Sequence, residues 1–406
     1  MAKVLVSLLG TGRKASGETQ QNEYEGTDYL FEGKCYENET FIANPLIKHY
    51  GIDKIFFVGT QQSMWDNIAD KFADEDEYLA IIEKKEAKAI DEGALSTLNQ
   101  AIDKRLNSEG SKCFIVDDGE NEEQLWKNFE KFLEIMENLN DGDELYLDIT
   151  HLFRSISIMS FVMSDFIKNY KNVHLAGVFY GMLKSDEASL IINITLFFDL
   201  LTWAKAIKTL KDTGNGTALS SLINRNIDDK TLQNSFSDFS HALSISDLSA
   251  MQMSIQNLKG KMALFEQYDN KIINLIGKDL RAFINNLDAR TLSKFQFNLA
   301  RWYAKNNNYA MAYLSLTEGT ISAICEKYEL ERTIEGHKEA KKIIREYGNW
   351  KKSSDEKQAI AKAYQKANNI RNNIAHKLSS DNRTSNSSPI NSIENFDLYH
   401  QKLVAI

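Results

Sequence analysis

The first half of the chain alternates short apolar runs with longer amphipathic stretches. The apolar runs are rich in branched residues and stop at glycine or polar positions, whereas the amphipathic stretches repeat with helical spacing. Strands that alternate with helices predict a mostly parallel sheet covered on both faces. The predicted strands are 3–10, 54–60, 112–118, 144–150, 173–181 and 188–195, and the predicted helices between them are 62–73, 91–107, 121–138 and 154–169.

One segment of this half breaks the alternation. Residues 18–40 contain the pattern YEGTDYLFEGKCYENET, in which two short runs flank a glycine. This pattern predicts a β-hairpin inserted after the first strand. The resulting prediction for residues 1–200 is an α/β, Rossmann-like domain with a mostly parallel sheet and an inserted hairpin.

The second half has helical spacing almost throughout. This spacing predicts an all-α domain over residues 201–406, because runs typical of strands are almost absent. The first helix is expected to end at Gly214 and Gly216, and the segment 379–392 is a polar loop before a short closing helix. Further helices are predicted at 234–258, 262–286, 291–305, 309–327, 335–346 and 355–376.

Charge separates the two halves. Residues 1–200 hold 19 Lys and Arg against 36 Asp and Glu, and residues 201–406 hold 29 against 21, so their net charges are −17 and +8. The basic half is the better place for a polyanion. Three widely spaced cysteines fit a reducing cytoplasm and form no zinc-ligand pattern, and no segment is long enough to span a membrane. We therefore expect a cytoplasmic protein without a bound metal.

Two loops that follow predicted strands carry residues suited to a bound anion. Ligands of open α/β sheets bind at the carboxyl ends of the strands. The first loop, LLGTGRK, offers glycines for close backbone approach, a hydroxyl and two cations, although it matches no dinucleotide or P-loop pattern and a tight turn explains it equally well. Its candidate ligand residues are Gly10, Thr11, Gly12, Arg13 and Lys14, together with Gly59 and Thr60 at the end of the next strand.

The second loop is DITHLFRS, at residues 148–155. Thr150 and His151 follow the strand, and Arg154 and Ser155 open the next helix, where a helix N-terminus beside an arginine attracts phosphate. Asp148 is a further candidate. The alternatives are a structural hydrogen bond from Asp148 to a turn and a satisfied, partly buried imidazole at His151.

Near the C-terminus, RNNIAH places Arg371 five positions before His376. RNA cleavage without a metal uses the substrate 2′-OH as nucleophile and needs a proton carrier near neutral pH and a cation for the phosphorane. On a helix the two residues are offset by about 140°, whereas Asn372 and His376 share a face. The candidate catalytic residues are Arg371, Asn372 and His376, and a solvated helix end is the alternative.

The spacing alone does not identify the site, because Arg332 and His337 have it too. That second pair contains Gly336 and is predicted to be a loop between helices. Glu318 is a possible polar partner of the catalytic groove, although solvation at the surface explains it equally well. The aromatic residues at 302, 303, 309 and 313 are predicted to be core.

LLGTG, DITHLFRS and RNNIAH together resemble the CRISPR-associated ancillary ribonucleases, which join a CRISPR-associated Rossmann-fold (CARF) sensor to a HEPN nuclease domain. DITHLFRS is similar to the Asp-x-Thr-His-Gly-Phe-Arg pattern of one branch, with Leu152 in place of the glycine. The resemblance implies a homodimer that binds cyclic oligoadenylate, with the cyclic tetra-adenylate favoured, and then cleaves single-stranded RNA in type III CRISPR defence. It implies no cofactor other than this activator.

Three other functions remain open at this point. The first is a sensor that degrades its own cyclic ligand, with Thr11, Thr150 and His151 as candidates. The second is a ligand-sensing regulator whose helical half docks a protein. The third, a Rossmann oxidoreductase, is disfavoured because the dinucleotide pattern is missing.

Overall fold

The computed structural model describes residues 1–12, 24–184, 187–245, 248–349, 353–376 and 393–406. The chain divides into two compact units, Met1–Asp199 and Leu200–Ile406. Each unit has its own buried apolar clusters. Over these described ranges, no helix combines the length and the apolar character needed to cross a bilayer.

The first unit is built on a sheet to which the described residues contribute eight strands, in the order β3-β2-β8-β7-β6-β1-β4-β5. From β7 to β5 all neighbours are parallel, so their carboxyl ends share one edge. This confirms the predicted mostly parallel sheet. The strands are β1 Lys3–Leu9, β2 Thr27–Phe31, β3 Lys34–Glu39, β4 Lys54–Gly59, β5 Lys112–Ile115, β6 Glu144–Asp148, β7 His174–Met182 and β8 Ser189–Asn193.

The inserted hairpin is present as β2 and β3, which pair antiparallel. It joins the main sheet because β2 pairs in parallel with β8, which itself runs antiparallel to β7. The hairpin therefore lies beside the last strands of the unit, although it follows the first strand in sequence.

Helices cover both faces of this sheet. Side chains of β1 alternate between the two faces, with Leu5 and Leu9 in one apolar cluster and Val4, Val6 and Leu8 in the other. The predicted helices are found, and two further ones, α1 and α3, were missed. The helices are α1 Ala43–Tyr50, α2 Trp65–Phe72, α3 Glu75–Glu86, α4 Glu92–Leu106, α5 Glu122–Glu137 and α6 Arg154–Tyr170.

The second unit is helical throughout its described residues, as predicted. Its first helix, α7, begins at Leu196 in the first unit and ends at Thr213, just before Gly214. The helices are α7 Leu196–Thr213, α8 Thr217–Asn226, α9 Lys230–Ile245, α10 Leu248–Gly260, α11 Met262–Glu266, α12 Lys271–Leu287, α13 Leu292–Lys305, α14 Tyr309–Lys327, α15 Ile334–Tyr347, α16 Asp355–His376 and α17 Phe396–Val404.

The helix boundaries differ from prediction in two regions. The single helix predicted over 262–286 is two helices, α11 and α12, and α8 was not predicted. The helix predicted over 234–258 coincides with α9 and α10, and residues 246–247 between them lie outside the described residues. Between α11 and α12 the break is set by Asn270, whose side chain accepts hydrogen bonds from the backbone N–H groups of Ile272 and Ile273. Asparagine at this position caps a new helix rather than continuing the old one.

Candidate functional site

A cavity of about 700 Å³ lies at the carboxyl edge of the parallel strands in the first unit. Loops after β1, β4 and β6 form it, together with the hairpin strand β2 and the turn between β7 and β8. The predicted ligand residues that line it are Gly10, Thr11, Gly12, Thr60, Thr150 and His151.

Asp148 lies beneath the cavity and not in its wall. Its carboxylate is fully buried and accepts hydrogen bonds from Ser7 Oγ at 2.6 Å and from Thr150 N at 2.9 Å and Oγ1 at 2.5 Å. Thr150 Oγ1 in turn accepts from Gly181 N at 2.8 Å. Burial raises the pKa of Asp148, and these donors oppose the rise. Asp148 and Thr150 thus fix the shape of the loop that carries His151.

His151 supplies an unsatisfied polar atom at the cavity. Its Nε2 is buried and has no hydrogen-bond partner in the described part of the chain. Burial lowers the pKa of the imidazole, while the nearby Asp148 carboxylate acts in the opposite direction. A neutral imidazole with an unpaired buried nitrogen costs free energy that a polar ligand atom can recover.

The two glycines of the first loop differ in how closely their surroundings approach them, and only Gly12 is required by close approach. A Cβ at Gly10 would lie 3.4 Å from the Cβ of His151, so the loops after β1 and β6 pack against each other. Gly12 has a φ of +73°, and a Cβ there would lie 2.3 Å from the Tyr24 ring. Arg13 and Lys14, the two predicted cations of this loop, lie outside the described residues.

The loop after β4 is tied to the first loop by hydrogen bonds. Ser63 Oγ donates to Leu9 O at 2.6 Å, and Met64 N donates to Gly10 O at 2.8 Å. Gly59 does not line the cavity, but a Cβ there would approach Ser63 to 2.8 Å. Its role is to let the two loops meet.

The start of α6 forms the wall between the main cavity and a neighbouring one of about 600 Å³. Arg154 and Ser155 line this second cavity with Gly119, and both cavities share Leu152 and Phe153. The first turn of α6 has no acidic residue and no side-chain cap, which leaves its N–H groups open to an anion. Asp118 and Glu120 also line this second cavity, so an anion there would lie among charges of both signs. The predicted ligand residues after β6 therefore line two neighbouring cavities.

The branch-specific position Leu152 has a φ of +78°. This left-handed conformation is one that glycine adopts readily and a branched side chain adopts at a cost. A glycine at this position, as in the pattern that the loop resembles, would adopt the same conformation without that cost.

Several cavity residues were not predicted. Tyr29 and Thr27 come from the hairpin, Gln62 and Ser63 follow β4, and Lys184 forms an ion pair at 2.7 Å with Glu187, which also lines the cavity. Ser63 could have been found, because it follows a predicted strand end. The hairpin and turn residues could not, because only the β2–β8 pairing brings them to this edge.

In the second unit, Arg371 and Asn372 lie on α16, of which His376 is the last residue. The guanidinium of Arg371 is 3.8 Å from the Glu318 carboxylate, and its Nη1 donates to Asn372 Oδ1 at 3.3 Å. The His376 side chain lies outside what the structure describes. One continuous helix preserves the predicted offset of Arg371 and His376 and the shared face of Asn372 and His376.

The second Arg–His pair differs from the first. The prediction of a loop at 332–337 is wrong in part, because α15 begins at Ile334 and Thr333 caps it through Gly336 N. Gly336 fits the first turn because a Cβ there would lie 1.9 Å from Glu331 O. Arg332 lies before the helix, 3.7 Å from Glu326.

Sequence comparisons match both units. The model of the CARF domain of the CRISPR system endoribonuclease Csx1 matches residues 4–187, and the model of the second domain of CRISPR-associated protein MJ1674 matches residues 199–293. CRISPR-associated protein MJ1674 of Methanocaldococcus jannaschii is 31% identical over 399 residues, which cover 93% of this chain. The chain spans 62% of the length of that relative.

A solved structure of Enterococcus italicus Csm6 bound to cyclic hexa-2′-fluoro-hexa-dAMP aligns over 100% of this chain and 94% of its own. The identity is 11% and the TM-score is 0.42. So low a score adds no weight to either fold or ligand.

Proposed function

The chain belongs to the CRISPR-associated CARF proteins, and on that premise we propose that it is a cyclic-oligoadenylate-activated endoribonuclease of type III CRISPR defence. The first unit is the sensor and the second unit is the nuclease, a HEPN domain. The activator is a cyclic oligoadenylate, with the tetramer favoured by the family resemblance, and the substrate is single-stranded RNA.

One observation carries the nuclease assignment: α16 holds Arg371 beside the Glu318 carboxylate, five residues before His376. In the reaction, the RNA 2′-OH attacks the adjacent phosphorus and the 5′-oxygen leaves, so the products are a 2′,3′-cyclic phosphate and a 5′-OH. Arg371 stabilises the phosphorane, His376 transfers the proton, and Asn372 supports the imidazole. No step in this scheme uses a metal ion.

The sensor assignment is supported by the polar cavity at the carboxyl edge of the sheet. The unpaired Nε2 of His151 and the exposed N–H groups at the start of α6 suit ribose hydroxyls and phosphates. The hydroxyl of Thr150 already bridges Asp148 and Gly181, so its role is to hold the loop. We assign the ligand contacts to Thr11, His151, Arg154 and Ser155.

A homodimer is supported by an apolar stripe on the outer face of α6. The side chains of Ile158, Val162, Phe166 and Tyr170 follow one another at four-residue spacing and are 65%, 58%, 48% and 74% exposed. Such a stripe on a soluble domain is typical of a protein interface. Two copies joined here would bring two sensor cavities together, and two α16 helices would supply two Arg–His pairs.

The test is cleavage of a 5′-labelled RNA with and without cyclic tetra-adenylate, each with EDTA present or absent. We expect cleavage that depends on the ring, resists EDTA and leaves 2′,3′-cyclic phosphate ends. His376→Ala should abolish it, whereas His337→Ala, from the second Arg–His pair, should cleave like the parent. Full activity of His376→Ala would remove the assignment.

A further inference from the structure

A polar groove of about 640 Å³ runs between α15 and α16, beside Arg371. Its described lining includes the cations Lys341, Arg345 and Arg371 and no carboxylate. The groove lies in the half of the chain that carries 29 Lys and Arg against 21 Asp and Glu. The groove therefore presents positive charge on the side of α16 that carries the candidate catalytic arginine.

Cations on α15 differ in their partners according to the side they face. Lys338 and Lys342, which do not line the groove, lie 3.6 Å and 3.3 Å from the carboxylates of Glu335 and Glu339. Lys341 and Arg345, which do line it, form no ion pair with any residue in the described ranges. The groove-facing charges are thus available to an external anion.

The opposite wall of the groove is rich in amides. Gln365, Asn368, Asn369 and Asn372 lie on α16 along it. Amide side chains offer paired donors and acceptors that match the edges of unstacked bases. Cations on one wall and amides on the other provide both components of single-strand recognition: charge for the backbone and hydrogen bonds for the bases.

From this arrangement we propose that the groove between α15 and α16 binds the single-stranded RNA substrate. Lys341 and Arg345 hold phosphates, Gln365, Asn368 and Asn369 contact base edges, and the strand leads to Arg371. The proposal rests on the proposed nuclease function and adds to it the path of the substrate and the residues that set its base preference.

The test uses the full chain with His376→Ala, which we expect to bind RNA without cleaving it, and a fluorescent single-stranded RNA. In this background Lys341→Gln and Arg345→Gln should each weaken binding about threefold and reduce the slope of log affinity against log salt by about 0.7. Lys342→Gln removes the same charge from the same helix outside the groove and should change neither value. Cleavage is measured with His376 intact and cyclic tetra-adenylate present. Under these conditions the two groove variants should raise KM for RNA and leave kcat within about twofold.

The outcomes separate the two proposals. If the parent cleaves RNA but the groove variants behave like Lys342→Gln, the groove proposal is wrong and the nuclease stands. If binding depends on Lys341 and Arg345 but the parent does not cleave, the groove stands and the nuclease is wrong. Absence of RNA binding in the His376→Ala protein, with no cleavage by the parent, overturns both.

Discussion

The carboxylate of Glu318 on α14 lies 3.8 Å from the guanidinium of Arg371 on α16. Fifty-three positions separate the two residues in the chain, so their proximity comes from the packing of the two helices. Because the Glu318 side chain is only 24% exposed, its charge acts on Arg371 with less screening than a surface pair would have. We propose that Glu318 positions Arg371.

The first prediction concerns that pair. Glu318→Gln keeps the volume of the side chain but removes the charge that orients Arg371, so kcat for ring-activated RNA cleavage should fall about tenfold. Binding of RNA to the groove should stay the same or tighten, because a negative charge near the phosphate site is lost. A fall in kcat with unchanged KM and melting temperature supports the role, whereas a parallel loss of folding stability contradicts it. Glu339→Gln, which removes an exposed carboxylate paired with Lys342 on α15, is the control.

Leu152 provides a test of backbone strain. At ordinary positions alanine stabilises a protein relative to glycine, because it restricts the unfolded chain. At a φ of +78° the order should reverse, because the left-handed conformation costs a residue with a Cβ about 1–2 kcal/mol. Leu152→Gly should therefore be more stable than Leu152→Ala by about 1 kcal/mol in denaturant unfolding. Both variants lose the packing of the leucine side chain, so this loss cancels when their free energies of unfolding are compared. A free energy of unfolding for Leu152→Ala equal to or above that of Leu152→Gly would contradict backbone strain at this position.

These results show which parts of the molecule could be predicted from sequence. The helices at 309–327 and 355–376 were located correctly, because their apolar spacing is continuous and Asn308 caps the first of them. The loops after β1 and β6 were found because glycines and a strand end mark them locally. Tyr29, Lys184 and Glu187 were missed as cavity residues because strand pairing, a non-local property, brings them there.

The buried carboxylate of Asp148 and its hydrogen bond from Thr150 predict that the stability of the folded protein depends on pH. Its pKa in the folded protein is raised, so the folded state binds more protons than the unfolded state and stability falls as pH rises above the unfolded value of about 3.9. Thr150→Val removes a hydroxyl donor to the carboxylate, which raises the folded pKa further and deepens that fall. We expect a loss of about 1–3 kcal/mol at pH 7 and a smaller loss at pH 4, measured by urea unfolding.

The control for this prediction is Thr150→Ser, which keeps the hydroxyl that Asp148 and Gly181 share. It should follow the parent at both pH values apart from a small, pH-independent loss of the methyl group. Equal losses for Thr150→Val at pH 4 and pH 7 would mean that packing, and not the charge of Asp148, determines the effect.

The apolar stripe on α6 predicts that a substitution which disrupts it prevents both dimer formation and RNA cleavage. Phe166→Glu places a charge in the middle of the stripe, where burial against a second copy would cost several kcal/mol, so light scattering should report a monomer. If the two Arg–His pairs of the proposed dimer form one cleavage site, RNA cleavage should be lost in the same variant. Trp126→Glu, which changes an exposed aromatic residue on α5, should remain dimeric and active. A monomeric Phe166→Glu protein that still cleaves RNA with the ring present would show that one copy of Arg371 and His376 is sufficient.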